Sequence, residues 1–256
     1  MVNTPPRNSW IVRPRPNPKA TLRLFCFPYA GGGASVFRKW PEYLPSSVEV
    51  CAIQLPGREG RQVEEPFKSL PPLIEVLGPI LVSSLDRGFV FFGHSLGASV
   101  AFELARWLRR HYQMMPATLF VGGRRAPHVP DTEPAIHDLP DKEFLEELRT
   151  LKGTAPEVLA NPELMELIRP MLRADFAMSK NYEYVPEPPL QCPIIAFGGL
   201  EDEDVSKDYI DGWREHTSAS FTLRMLPGDH FFLHTSQQTM LHMLARDLLP
   251  LMGALV

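Results

Sequence analysis

The chain has 256 residues, 44% of them hydrophobic and 22% charged, with a net charge of -4. That balance excludes a disordered or fibrous protein and suits one sizeable core, and it offers no basic footprint for nucleic acid. The longest stretch without Asp, Glu, Lys or Arg, from Gly88 to Phe102, falls short of the roughly 18 to 20 apolar residues that a membrane span needs. No bilayer crossing is expected, and the Pro- and Arg-rich opening from Met1 to Ala20 lacks the apolar middle of a secretion signal, so the expected location is the cytoplasm. The 3 cysteines, Cys26, Cys51 and Cys192, are scattered in apolar segments and read as buried free thiols rather than a zinc or disulfide framework. The 27 prolines fall mostly at segment borders, where they cut the chain into short elements.

Taken in order, strand-length apolar runs alternate with segments of helical period, the pattern of an α/β protein with a mostly parallel sheet covered on both faces. Thr21 to Phe27 predicts a buried strand, followed by a turn, Pro28 to Gly33, and a helix carrying Val36, Phe37 and Trp40. Glu49 to Leu55 is the next strand, Leu73 to Leu85 a helix, and Gly88 to Phe92 a run so apolar that it belongs at the sheet centre. Strands are further expected at Ala117 to Val121, Pro193 to Phe197 and Phe221 to Leu226, with helices at Leu96 to His111, Val205 to His216 and His234 to Leu249.

From Arg124 to Leu190 the alternation stops. Asp141 is expected to cap a helix with Phe144, Leu145, Leu148 and Leu151 on one face. Asn161-Pro162 supplies a cap and first-turn proline for a second helix, with Leu164, Leu167, Ile168, Met171 and Leu172 as its apolar side. The chain thus reads as a single domain over 1–256 with a helical insertion at 124–190, whose greasy faces pack on the domain, line an apolar pocket as a lid, or do both.

Gly93-His94-Ser95-Leu96-Gly97 follows the most hydrophobic strand and opens a helix with small residues at Ala98, Ser99 and Ala101. Glycine two residues either side of the serine is what a nucleophile elbow needs, since strand and helix must approach without Cβ clashes. A serine hydroxyl is a poor nucleophile at neutral pH and requires an imidazole oriented by a carboxylate, arriving later in the chain on loops after late strands. His230, just past the strand ending at Leu226, is the base. Asp202 is the favoured acid in the cluster Glu201 to Asp204, with Asp204 and Asp229 as rivals. His230 and His234 have the spacing of a metal pair, but no third ligand cluster presents itself and no metal is expected. Negative charge developing on an attacked carbonyl calls for N–H donors: one from Leu96, the other from Tyr29 or Ala30 in the turn after the first strand.

Phe27-Pro28-Tyr29-Ala30-Gly31-Gly32, Gln54-Leu55-Pro56-Gly57-Arg58-Glu59, Gly93 to Ala98, Arg124-Arg125-Ala126-Pro127, Leu172-Arg173-Ala174-Asp175 and Gly228-Asp229-His230-Phe231-Phe232 together resemble the stand-alone type II thioesterases of polyketide and nonribosomal peptide synthesis, nearly end to end. The acidic run after Gly199 departs from that pattern in lacking a proline after the aspartate. The resemblance implies an α/β-hydrolase fold with a helical lid and Ser95, Asp202 and His230 as triad. It further implies hydrolysis, without a cofactor, of acyl groups from the phosphopantetheine arm of acyl or peptidyl carrier proteins, clearing stalled or wrong units. A general carboxylester hydrolase or acyltransferase would use the same residues. Arg124 and Arg125 read as a solvated pair at a lid hinge, with contact to phosphate or an acidic carrier as the other reading.

Overall fold

The computed structural model describes residues 10–151 and 153–253. Among these residues seven strands form one sheet in the order β1-β3-β2-β4-β5-β6-β7: β1 (Ile11–Val12), β2 (Leu22–Phe27), β3 (Val48–Ile53), β4 (Gly88–His94), β5 (Leu119–Gly122), β6 (Ile194–Gly199) and β7 (Phe221–Leu226). All neighbours pair in parallel except β1, a two-residue antiparallel edge on β3 that is too short to show in hydrophobic pattern. The helices are α1 (Leu70–Val82), α2 (Leu96–Tyr112), α3 (Asp141–Thr150), α4 (Pro156–Leu159), α5 (Pro162–Lys180), α6 (Lys207–Asp211), α7 (Phe232–Thr235) and α8 (Gln237–Gly253). None is long and apolar enough to cross a membrane among the described residues.

Because side chains alternate across a strand, β2 feeds two cores at once. Phe25 and Phe27 pack with Phe91, Leu77 and Leu104 on the side of α1 and α2, while Leu24 and Cys26 pack with Phe92, Trp40 and Leu244 on the side of α8. Burial on both faces is why these strands read as continuous apolar runs rather than alternating ones. All three cysteines are buried and free.

Several expected helices break where the backbone dictates. The segment after β2 forms two 3₁₀ turns, Ala34–Phe37 and Trp40–Glu42, instead of one helix, with Pro41 unable to supply an interior N–H. The helix expected at Val205 to His216 is α6, capped by the Ser206 hydroxyl accepting from Tyr209 N–H at 3.3 Å, followed by a 3₁₀ turn over Gly212–His216. The last helix is split at Ser236 into α7 and α8.

Between β5 and β6 the chain is helical, with a small cluster of its own: Phe144, Leu148, Met165, Met171 and Leu172. Two expectations are corrected here. Asp141 lies in the first turn of α3, the cap position being Pro140, so the Asp141 carboxylate serves the helix dipole and binds Arg169 and Arg173 at 2.8 Å each. On α5 the buried face is rotated: Met165, Met171 and Leu172 are inside, while Leu164 and Leu167 are 41% and 53% exposed. The Asn161 cap is as expected, its side chain accepting from Leu164 N–H at 3.2 Å. The second half of α5 continues into the body of the protein, where Met178 joins the core beside α1 and α2; Pro170 lies inside the helix between the two halves.

Candidate active site

Strand order reverses between β2 and β4, since β3 lies to one side of β2 and β4 to the other. The crevice at the carboxyl ends of such a pair is where open parallel sheets place their ligands. The turn after β2, the elbow after β4 and the loops after β6 and β7 all emerge at that end of the sheet.

Ser95 adopts φ 53 and ψ −119, a strained conformation for a residue with a Cβ. Packing enforces it. A Cβ on Gly93 would lie 2.1 Å from the Gly97 carbonyl oxygen, and one on Gly97 would lie 2.1 Å from that of Phe27, so neither glycine can be replaced without moving backbone. The Ser95 N–H donates to Gly122 O at 2.7 Å, tying the elbow to β5.

His230 donates its Nδ1–H to Asp202 Oδ2 at 2.9 Å, and the Asp202 side chain is fully buried. The other oxygen, Oδ1, accepts from Asp204 N–H at 3.1 Å and Val205 N–H at 3.0 Å, so the carboxylate is held by its own loop as well as by the ring. Of the rivals, Asp229 accepts from Phe231 N–H at 2.9 Å, and Asp204 is exposed at the cavity rim with its acidity weakened chiefly by desolvation.

Two further histidines shape this loop. His94 is fully buried and donates Nε2–H to the His230 carbonyl at 2.9 Å; burial, then the neighbouring His230, holds its pKa well below the usual histidine range, so it is a neutral strut. His234 shares a hydrogen bond with the Tyr29 hydroxyl at 2.9 Å. Neither role follows from spacing alone, although His94 is adjacent to Ser95.

Leu96 opens α2, so its N–H is one of the donors that a first helical turn leaves without an intrahelical partner. In the turn after β2, Gly31 N–H is taken by Asp175 Oδ2 at 2.7 Å and Gly32 N–H by the Tyr29 carbonyl at 2.9 Å. That leaves the N–H groups of Tyr29, Ala30 and Gly33 without a hydrogen-bond partner among the described residues of this turn, and of these three residues Tyr29 and Ala30 line the same cavity as Ser95.

Ser95, His230, Tyr29 and Ala30 line one cavity of about 480 Å³, within the roughly 300 to 1,000 Å³ typical of small-molecule sites. Leu148, Leu151, Leu172 and Phe176 give it an apolar wall from the helical segment. Arg124 and Arg125 are not a solvated pair. Arg124, its pKa lowered by burial, donates to Ser179 Oγ on α5 at 2.8 Å, and Arg125 donates to Pro130 O at 2.9 Å and lies 3.5 Å from Asp131.

Fold and site define a hydrolase of the α/β type. Residues 22–248 match the thioesterase domain family. The chain is 44% identical to gramicidin S biosynthesis protein GrsT of Aneurinibacillus migulanus, over 94% of each chain, and 47% identical to the protein named linear gramicidin dehydrogenase LgrE of Brevibacillus parabrevis, over 91% of this chain and 89% of that one. Among solved structures it superposes with a TM-score of 0.85 and 37% identity on the type II thioesterase BorB from the borrelidin biosynthetic cluster, covering 93% of this chain and 96% of BorB. The chain belongs to the thioesterase family and, with these relatives, to its type II branch.

Proposed function

We propose that the protein is an editing thioesterase that hydrolyses acyl groups from the phosphopantetheine arm of acyl or peptidyl carrier proteins, with Ser95 as nucleophile, His230 as general base and acid, and Asp202 as the carboxylate that orients it. The observation that carries this reading is the convergence on one cavity of a serine held at φ 53 and a histidine whose Nδ1 is fixed by a buried carboxylate at 2.9 Å. With Nδ1 engaged, Nε2 is the nitrogen left to take the Ser95 proton. The alkoxide attacks the thioester carbonyl, and the charge that develops on oxygen meets the N–H of Leu96 and that of Tyr29 or Ala30. Collapse expels the pantetheine thiolate, which takes the proton from His230, and leaves an acyl-serine; water, deprotonated by the same imidazole, releases the acid and restores the serine. A thioester has little resonance stabilisation and a good leaving group, so no metal or cofactor is needed.

The biosynthetic settings named for GrsT and BorB support a carrier-bound substrate, met in the cytoplasm. On this reading 1–256 is a single domain, and its 124–190 segment acts as a lid above the acyl chain, with the arm entering beneath it. The test is hydrolysis of an acyl carrier thioester beside a free ester of equal chain length. The carrier thioester is expected to be strongly preferred, and Ser95→Ala to lose at least about a thousandfold in turnover while keeping its fold and carrier binding. Equal rates on the two substrates overturn the carrier claim; unchanged turnover in Ser95→Ala overturns the mechanism.

A further inference from the structure

Arg58 and Asp175 stand 117 positions apart in the chain and meet in a buried, two-pronged ion pair: Nη1 donates to Oδ2 and Nη2 to Oδ1, each at 2.7 Å, with the side chains 4% and 0% exposed. Neither residue lines the cavity, although Leu172 and Phe176, which flank Asp175 on α5, do. What the pair touches is the turn after β2. Asp175 Oδ2 also accepts the Gly31 N–H at 2.7 Å, and Arg58 Nη1 also donates to the Gly32 carbonyl at 3.0 Å. Gly31 sits at φ 81, a conformation glycine adopts without strain, and a Cβ there would press within 2.7 Å of Leu172 on α5. The base of the pair is itself braced: Gln54 donates to the Arg58 carbonyl at 3.2 Å and accepts from Ala34 N–H at 2.9 Å.

Stability alone is a poor reason for such an arrangement. Replacing a buried ion pair by apolar side chains of similar volume is often neutral or stabilising, whereas removing one partner is costly. Direction is what a planar fork supplies. Here it fixes both the N–H of Gly31 and the carbonyl of Gly32, and so sets the path of the two residues just before them, Tyr29 and Ala30, which line the cavity. The pair also keeps the turn electrically neutral, since an unpaired carboxylate beside Gly31 would oppose negative charge developing on the substrate oxygen.

We infer that Arg58 and Asp175 are positioning residues for the oxyanion-binding turn, a fixed post planted by α5 that aims the Tyr29 or Ala30 N–H at the reacting carbonyl. This rests on the reading of Ser95 as nucleophile. It is tested by measuring kcat and KM on an acyl thioester of N-acetylcysteamine, the rate of fluorophosphonate labelling of Ser95, and Tm, in Arg58→Lys, in Asp175→Asn, and in the double variant Arg58→Met with Asp175→Leu. The apolar double variant is expected to keep Tm within about 5 °C of the parent yet lose at least about tenfold in kcat and in labelling rate, with KM within about twofold, because packing is replaced and aim is not. Arg58→Lys, which keeps the charge but not the fork, is expected to fall between the parent and Asp175→Asn in kcat. Parental kcat in the double variant, or a rise in KM at constant kcat, overturns the inference. Should the double variant not fold, Arg58→Lys decides: parental kcat overturns the inference, and a reduced kcat at unchanged KM sustains it. The two readings fail separately, since activity surviving in Ser95→Ala removes the mechanism, whereas an inactive Ser95→Ala beside fully active post variants removes only the post.

Discussion

The sheet and the helical segment between β5 and β6 solve different problems with different materials. Around β4 the fit is between backbones: Gly93, Gly97 and the Phe27 carbonyl approach so closely that a single methyl group has no room, and two packed cores cover the sheet on either side. The stretch from α3 to the middle of α5 rests instead on one small cluster of side chains, with the Phe144 ring 6.0 Å from Phe176 and under the Arg173 guanidinium at 4.3 Å. Backbone fit holds Ser95 in its strained turn, whereas the helical wall of the cavity is held by side chains, which can repack. The contrast teaches that the rigid and the more adaptable walls of one cavity come from separate parts of the molecule.

The sharpest way to break this contrast is Gly97→Ala. Its methyl group meets backbone rather than a movable side chain, so the expected result is loss of more than about 4 kcal/mol of stability or of soluble protein altogether, read by denaturant unfolding. Phe144→Ala should cost about 3 kcal/mol within the helical segment, seen as faster hydrogen exchange in α3 and α5 while the amides of β2 and β4 stay protected. At the seam between the two regions His216 packs against Phe102, Trp213 and Tyr184 and hydrogen-bonds His128 at 2.8 Å, and burial, aided by His128, pushes its pKa down to about 4. The unfolded chain then takes up a proton below about pH 6.5 that the folded chain refuses until near pH 4, so stability falls as the pH drops through that window. The loss by pH 5 should be on the order of 1–2 kcal/mol. Thermal unfolding at pH 7 and pH 5 should show a smaller difference in His216→Gln than in the parent. Least affected should be Leu167→Glu on the open side of α5, within about 0.5 kcal/mol of the parent; a larger drop in Tm would mean that this face is covered.

What the sequence made legible follows the same division. The parallel sheet, the elbow at Ser95 and the two loops that carry Asp202 and His230 were readable because each is local: an apolar run, two glycines at fixed offsets, a loop directly after a strand. The turn at Arg58 and the Leu172 to Asp175 stretch of α5 were visible as separate motifs, but their meeting was not, since a fold has to bring together residues 117 positions apart before the ion pair exists. The rotated face of α5 was misread for a related reason. Leucines at helical spacing suggested one buried stripe, but the helix serves a local cluster in its first half and the main core in its second, and Leu164 and Leu167 fall outside both. Arg124 and Arg125 looked like surface charge because carbonyl and hydroxyl partners leave no mark in composition.

Pro170 gives α5 a division of labour. Having no N–H, it leaves the Glu166 carbonyl without its helical bond, and it does so five residues ahead of Asp175. The helix is therefore softest between its first half, where Met165 packs with Phe144 and Leu148 of α3, and its second half, where Leu172 and Phe176 line the cavity on either side of the anchored Asp175. Bending at that joint would shift α3, whose Leu148 lines the cavity, while Leu172, Phe176 and the turn after β2 keep their places, so one wall can yield without disturbing the other.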